Sequence, residues 1–264
     1  MGNAVINDVT DMSGLIDYAW SHAIISDEVY NGINKNCDFG KENQTKACDV
    51  NVEGLLKSYN EIDIYSIYSP ICLNKYHHTH TSLSTKLLVA PRLLTRHDLW
   101  HSLPSGYDPC TEDYIAKYFN KKDVQRALHA NVTNLPYPYT LCSNVIRKWN
   151  DSPNTVLPIL KKLMLKNGGG GLRIWIYSGD TDGRVPVTST RYSIKKMGLK
   201  RKEEWRAWFS RNGQVGGWSE EYEGGVTFVT IRGAGHQVPI FAPQQSLTLF
   251  SHFLSSRPLP SSRF

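Results

Sequence analysis

The chain has 264 residues, of which 40% are apolar, 11% aromatic and 20% charged. That composition excludes a disordered or membrane protein and leaves room for one large globular domain. A formal net charge of +6 raises the question of nucleic acid, but the densest basic stretch, residues 195–206, is broken by Glu203 and Glu204, carries no binding motif and reads as a solvated face.

No run of about 18 apolar residues is present, so no transmembrane helix is expected. Residues 1–6 lack the basic and apolar regions of a signal peptide, and Ile6 stands where an N-myristoylation pattern wants Ser or Thr. Residues 2–8 form a β-branched run ending in Asn7 and Asp8, like the end of a strand passing into a loop. Over residues 13–30, Leu15, Ile16, Tyr18, Ala19, Trp20, Ala23, Ile24 and Ile25 suit one or two short helices, and Ser26, Asp27 and Glu28 look like a helix start. Residues 31–72 are polar and read as a helical insertion with loops.

Between Cys72 and Cys110 the character changes. His77, His78 and His80, followed by Lys86, Arg92, Arg96 and His97, lack periodicity and read as an exposed loop open to proteolysis. A zinc site needs a geometrically fixed ligand set with a second shell, which such a loop does not supply, so the histidines read as a surface cluster and no metal is expected. Helical spacing returns at residues 112–119 and 123–129, with Asn120 as a cap for the second piece, and Pro136 and Pro138 end the region.

Residues 155–166 predict a largely buried helix through Val156, Leu157, Ile159, Leu160, Leu163, Met164 and Leu165, stopped by Asn167 and the glycines that follow. Residues 172–177 are a near-continuous apolar strand of the parallel-sheet kind. Thr188 or Ser189 caps a helix running to Met197, closed by Gly198. Residues 205–228 read as a hairpin, 226–231 as the last sheet strand, and 246–255 as an amphipathic closing helix carrying Leu247, Phe250, Phe253 and Leu254. Strand, helix, hairpin, strand and helix make an α/β ending.

Five cysteines are an odd count, and Asn43, Asn131 and Asn150 head acceptor sequons for N-glycosylation, the last weakened by the proline after Ser152. A secreted chain whose odd cysteine is a free thiol, bridges to another chain or is missing its partner, and a cytosolic chain with scattered reduced thiols, both fit.

The chemistry lies in Gly179-Asp180-Thr181-Asp182-Gly183-Arg184-Val185-Pro186 and Gly233-Ala234-Gly235-His236-Gln237-Val238-Pro239. Each follows a predicted strand, where the acid and base of a Ser-Asp-His hydrolase converge. Asp182 would accept the His236 Nδ1–H and hold the tautomer, while Nε2 would exchange a proton with the nucleophile. Asp180 reads as a turn or capping residue. The nucleophile should precede both on a Gly-x-Ser-x-Gly turn, yet no serine here sits in that pattern.

These two motifs, with Thr190-Arg191-Tyr192, Gly2-Asn3-Ala4 and Asp17-Tyr18-Ala19-Trp20-Ser21-His22, resemble plant serine carboxypeptidase-like proteins of the class cleaved into two disulfide-linked chains. The resemblance covers essentially the whole chain. It implies a truncated α/β-hydrolase fold: residues 1–264 as the C-terminal part of one domain, with the last strands and helices of a mainly parallel sheet. A helical insertion spans about residues 13–110, including a linker loop at about 74–98. It implies Asp182 as acid, His236 as base, Cys37 paired with Cys48, Cys72 with Cys110 around the linker, and Cys142 left without its partner.

The family's N-terminal half would hold the nucleophile motif Gly-Glu-Ser-Tyr-Ala-Gly, the oxyanion donors and the Asn and Glu that bind a terminal carboxylate. The expectation is therefore a serine-type carboxypeptidase, inactive as this chain alone, whose sheet edge and faces would be open. It needs no cofactor, takes a peptide or acyl substrate once completed, and is glycosylated at Asn43 and Asn131. It is secreted or vacuolar in its full-length form, with a homodimer as a further candidate assembly. The alternatives are acyl transfer to small alcohols, cyanohydrin cleavage, and a non-catalytic glycoprotein.

Overall fold

A computed structural model describes residues 1–72, 107–141, 143, 145, 151–164 and 171–263. The expected linker loop with His77, His78 and His80 lies outside the described residues, as do Cys142 and Asn150.

Among the described residues four strands form one mixed sheet: β1 (Ile174–Gly179), β2 (Arg201–Phe209), β3 (Val215–Tyr222) and β4 (Val226–Ile231), in the order β1-β4-β3-β2. β1 and β4 are parallel neighbours, from Ile174 opposite Val226 to Gly179 opposite Ile231. β2, β3 and β4 run as an antiparallel meander, so the stretch expected to be a single hairpin supplies two turns and three strands. β2 takes the outer position, and its exposed Arg201, Lys202, Glu203 and Glu204 put charge on an edge that would otherwise invite further pairing.

Side chains alternate across the sheet as the strand period requires. On one face Ile176, Val226 and Phe228 pack against α6 (Leu157–Met164) and α7 (Val187–Met197) through Leu157, Leu160, Ile194 and Met197. On the other, Trp175, Val229 and Ile231 meet α8 (Val238–Phe241) and α9 (Pro243–Leu254). Trp208 is fully buried on this second face, and its indole Nε1–H donates to the Thr230 carbonyl at 3.0 Å.

A separate helical core is built from α1 (Asp8–Ser21), α2 (Asp27–Asn36) and α3 (Lys46–Tyr59), which share buried Leu15, Ile16, Ile33, Val52 and Leu55. Asn7, Ser26 and Thr45 each cap a helix by accepting a backbone N–H three residues on. Because Asn7 starts α1 at Asp8, a boundary at about residue 13 falls inside a helix. α1 also packs on α7, where Thr188 and Ser189 donate to the Gly14 and Asp11 carbonyls at 2.6 and 2.8 Å. Those hydroxyls therefore do not cap α7, whose N-cap position is Pro186; its C-cap is Gly198 at φ 65°, in the left-handed region.

Three further expectations change. Asn120 closes α4 (Thr111–Phe119) by donating to the Ala116 carbonyl, and α5 (Lys122–Ala127) starts from Lys121 without a side-chain cap. α6 is half-buried: Leu157 and Leu160 face the sheet while Ile159 and Leu163 are exposed. α9 buries Thr248 and Leu249 and leaves Leu247, Phe250 and Leu254 exposed, so most of the apolar residues expected to close the core point outward.

Candidate active site

The parallel pairing of β1 and β4 sends two loops off the same end of the sheet, side by side. Asp180 N–H donates to the Ile231 carbonyl at 3.1 Å, Thr181 N–H to the Ala234 carbonyl at 2.9 Å, and Gly233 N–H to Asp180 Oδ1 at 2.6 Å. Asp180 thus holds the turn, with burial raising its carboxyl above the usual range. The loops touch closely at Gly179, where a Cβ would lie 2.3 Å from the Ala234 carbonyl oxygen.

Asp182 is fully buried, and four donors meet its carboxylate. Oδ1 accepts from Arg184 N–H at 2.7 Å and Val185 N–H at 3.2 Å. Oδ2 accepts from Asn3 Nδ2 at 2.7 Å and lies 2.8 Å from His236 Nδ1. An ionised carboxylate only accepts, so this contact assigns the proton to Nδ1. Nε2, across the ring, then holds a lone pair and has no hydrogen-bond partner among the described residues; the side chain is 30% exposed. A buried carboxylate orienting an imidazole with an accessible Nε2 is equipped to accept a proton from a nucleophile placed beside it.

Asn3 was not legible as part of this arrangement. It sits at φ 40°, in the left-handed region that asparagine tolerates better than most residues, and is paired to β1 through its N–H and the Tyr177 carbonyl at 2.9 Å. From there its side chain spans both loop and strand, donating to Asp182 and accepting from Gly179 N–H at 3.1 Å. The signal available was its place in the Gly2-Asn3-Ala4 motif, near the start of the short β-branched run. The His236 loop is backed by Tyr65, whose carbonyl accepts His236 N–H at 2.7 Å and whose ring lies 5.3 Å from the imidazole.

The remaining site residues lie apart from this pair. Cys37 at the C-cap of α2 is joined to Cys48 in the first turn of α3, and Cys72 is joined to Cys110 at the start of α4. Asn43 is exposed. Asn131 is half-buried, its Nδ2 donating to Gln125 Oε1 at 3.1 Å and its Oδ1 accepting from Leu135 N–H at 2.7 Å. Among the described residues no group of three or more His, Cys, Asp or Glu side chains could hold a metal, and no helix is long and apolar enough to cross a membrane.

The family model for serine carboxypeptidases matches residues 1–256. Among curated proteins, the chain is 63% identical over 266 residues to serine carboxypeptidase-like 35 of Arabidopsis thaliana, covering 100% of this chain and 54% of that protein. It is 46% identical over 273 residues to serine carboxypeptidase-like 34 of the same plant, with 100% and 54% covered. Identity to the plant's serine carboxypeptidase 24 is 47% over 264 residues, with 99% and 54% covered. The chain therefore spans about half the length of the curated relatives it matches.

A solved structure, that of Kex1(delta)p, a prohormone-processing carboxypeptidase from Saccharomyces cerevisiae, superposes with a TM-score of 0.61 at 17% identity, over 97% of this chain and 53% of that one. That likeness shows the fold, the α/β-hydrolase fold carried here by the four-stranded sheet and its helices. With the whole chain aligned to these relatives and residues 1–256 matched, the chain belongs to the serine carboxypeptidase family.

Proposed function

We propose that this chain supplies the general base and its orienting acid to a serine-type carboxypeptidase whose nucleophile and oxyanion donors lie outside these 264 residues. The observation that carries the reading is the 2.8 Å contact between His236 Nδ1 and the fully buried Asp182 carboxylate, with Nε2 left available. In the completed enzyme, Nε2 takes the hydroxyl proton as the serine oxygen adds to the scissile carbonyl, and returns it to the leaving amine as the acyl-enzyme forms. Water then repeats the sequence and releases the shortened peptide.

Two structural features support a completing segment. Among the described residues β1 has β4 on one side only, and on the other meets just the short bridge through Gly2. The exposed Leu247, Phe250 and Leu254 on α9 form an apolar stripe of the kind that in a finished domain lies under another layer. The chain by itself lacks the serine and the oxyanion donors, so it is inactive. Two disulfides favour folding in the oxidising environment of the secretory route to the cell exterior or vacuole, where the exposed Asn43 is the better glycan acceptor.

The test joins the unmatched N-terminal portion of Arabidopsis serine carboxypeptidase-like 35 to residues 1–264 and assays hydrolysis of N-blocked dipeptides. The chimera turns over and residues 1–264 alone do not. Asp182→Asn and His236→Ala each lower kcat by about 10³–10⁴-fold. Hydrolysis by the isolated chain that vanishes in those variants overturns the inactivity, and a folded chimera that transfers acyl groups to alcohols but leaves peptides intact replaces the peptidase reading.

A further inference from the structure

The Asp182 and His236 loops are held together from outside the sheet by a third piece of chain, residues 63–67, which follows α3. Gly183 N–H donates to the Ile64 carbonyl at 2.9 Å, His236 N–H donates to the Tyr65 carbonyl at 2.7 Å, and Ile67 N–H donates to the Thr181 carbonyl at 3.0 Å. The Ser66 and Thr181 hydroxyls lie 3.3 Å apart. One short segment thus bonds to the residue after the acid, to the backbone of the base, and to the residue before the acid.

The two loops are shaped to receive it. A Cβ on Gly183 would meet Ile67 Cγ2 at 2.8 Å, Tyr59 Cε1 at 2.9 Å and the Ile64 carbonyl oxygen at 3.0 Å. A Cβ on Gly235 would meet the Tyr65 carbonyl oxygen at 2.2 Å and Ser66 Cβ at 2.8 Å. Glycine therefore stands immediately after Asp182 and immediately before His236 where this segment presses against both loops.

The segment is itself anchored by one side chain. Asp63 is fully buried; its Oδ1 accepts Tyr65 N–H at 2.8 Å, its backbone carbonyl accepts Ser66 N–H at 3.1 Å, and its Oδ2 faces the Tyr107 hydroxyl at 3.4 Å. The Tyr65 peptide whose N–H is held by Asp63 carries, on the same residue, the carbonyl that holds His236. Burying a carboxylate is costly, and this one sits within reach of the charges of Glu112 and Asp182. An apolar residue would fill the space more cheaply but would leave the Tyr65 N–H without an acceptor.

We propose that residues 63–67 act as a strut that sets the separation of Asp182 and His236, and that Asp63 is a positioning residue working through the Tyr65 backbone. The proposal rests on the acid and base reading given above, and its readouts need neither a nucleophile nor turnover. It is tested on the ¹⁵N-labelled 264-residue chain by amide hydrogen exchange and by the His236 Nδ1–H resonance. Asp63→Ala raises exchange at Gly183 and His236 by at least about tenfold relative to Val229 at the sheet centre, and weakens the Nδ1–H signal.

Asp63→Asn keeps an acceptor oxygen and stays within about threefold of the unmodified chain. Leu160→Ala, a cavity in the core beneath α6 and α7, moves all three amides together. Unchanged exchange ratios and an unchanged Nδ1–H signal in Asp63→Ala overturn the proposal, as does an Asn variant that behaves like Ala. If Asp63→Ala does not fold, Tyr107→Phe, which removes only the facing hydroxyl, raises the same ratios by about two- to fivefold, and a flat ratio there overturns it equally. An inactive chimera with the strut response intact removes the carboxypeptidase reading alone.

Discussion

The loops at the end of β1 and β4 and the outer face of α9 lie in one chain but in opposite conditions. At the loops every Asp182 oxygen has its donors, the backbones cross-bond, and a buried asparagine from residue 3 closes the arrangement. On α9 the helix is regular, yet Leu247, Phe250 and Leu254 face outward while Thr248 and Leu249 are buried. The Asp182 carboxylate is satisfied by donors of this chain, with His236 Nε2 left open, whereas the apolar stripe of α9 faces outward. The acid and base half of the site is therefore self-supporting, while the outer face of α9 is left open.

The largest effect that sharpens this contrast is catalytic: in the completed chimera, Asp182→Asn costs about 10³–10⁴-fold in kcat because a neutral amide, which can also donate, no longer fixes the imidazole tautomer or stabilises the imidazolium. Within the isolated chain, Leu249→Ala opens a cavity in the α8 and α9 core and costs about 2–5 kcal/mol in urea unfolding, whereas Phe250→Ala one residue away stays within about 0.5 kcal/mol. A Phe250→Ala cost equal to that of Leu249→Ala would mean that α9 is already covered. Asn3→Ala removes one donor to Asp182 and one acceptor from Gly179, and costs about 1–3 kcal/mol by the same measurement.

A further effect is a pH slope. Burial pushes Asp63 and Glu112 up to about 7 and Asp11 up to about 6, against reference values of 3.8 for Asp and 4.5 for Glu. Between those references and about 7 the folded chain holds protons that the unfolded chain has released, so these groups make stability fall as pH rises across that window. Urea midpoints near pH 4 and near pH 7 read the slope, and Glu112→Gln flattens it. A midpoint that rises with pH and ignores the substitution contradicts the assignment.

The sequence was most legible where a local pattern decides the outcome. The apolar run before Gly179 is β1, shifted by two residues, the glycine at 198 ends α7, and the two Gly-rich loops follow parallel strands as their composition suggests. It was least legible where a side chain chooses a distant partner over a near one. Thr188 and Ser189 have the chemistry of caps but bond across to α1, and Asn120 caps the helix behind it. Asn3 reaches Asp182 across 179 positions, and Asp63 reaches His236 only through a peptide it holds. The α9 stripe misled for a different reason: a hydrophobic period shows that a face will be covered and says nothing of which chain covers it.

The central claim is that the acid and base are already paired in this chain before any nucleophile is supplied. The direct measurement is the ¹⁵N and ¹H spectrum of the His236 ring in residues 1–264. The account predicts a downfield, slowly exchanging Nδ1–H proton that disappears in Asp182→Asn. A ring whose two nitrogens exchange protons freely, unchanged by Asp182→Asn, would show that the pair forms only in a larger assembly and would contradict it.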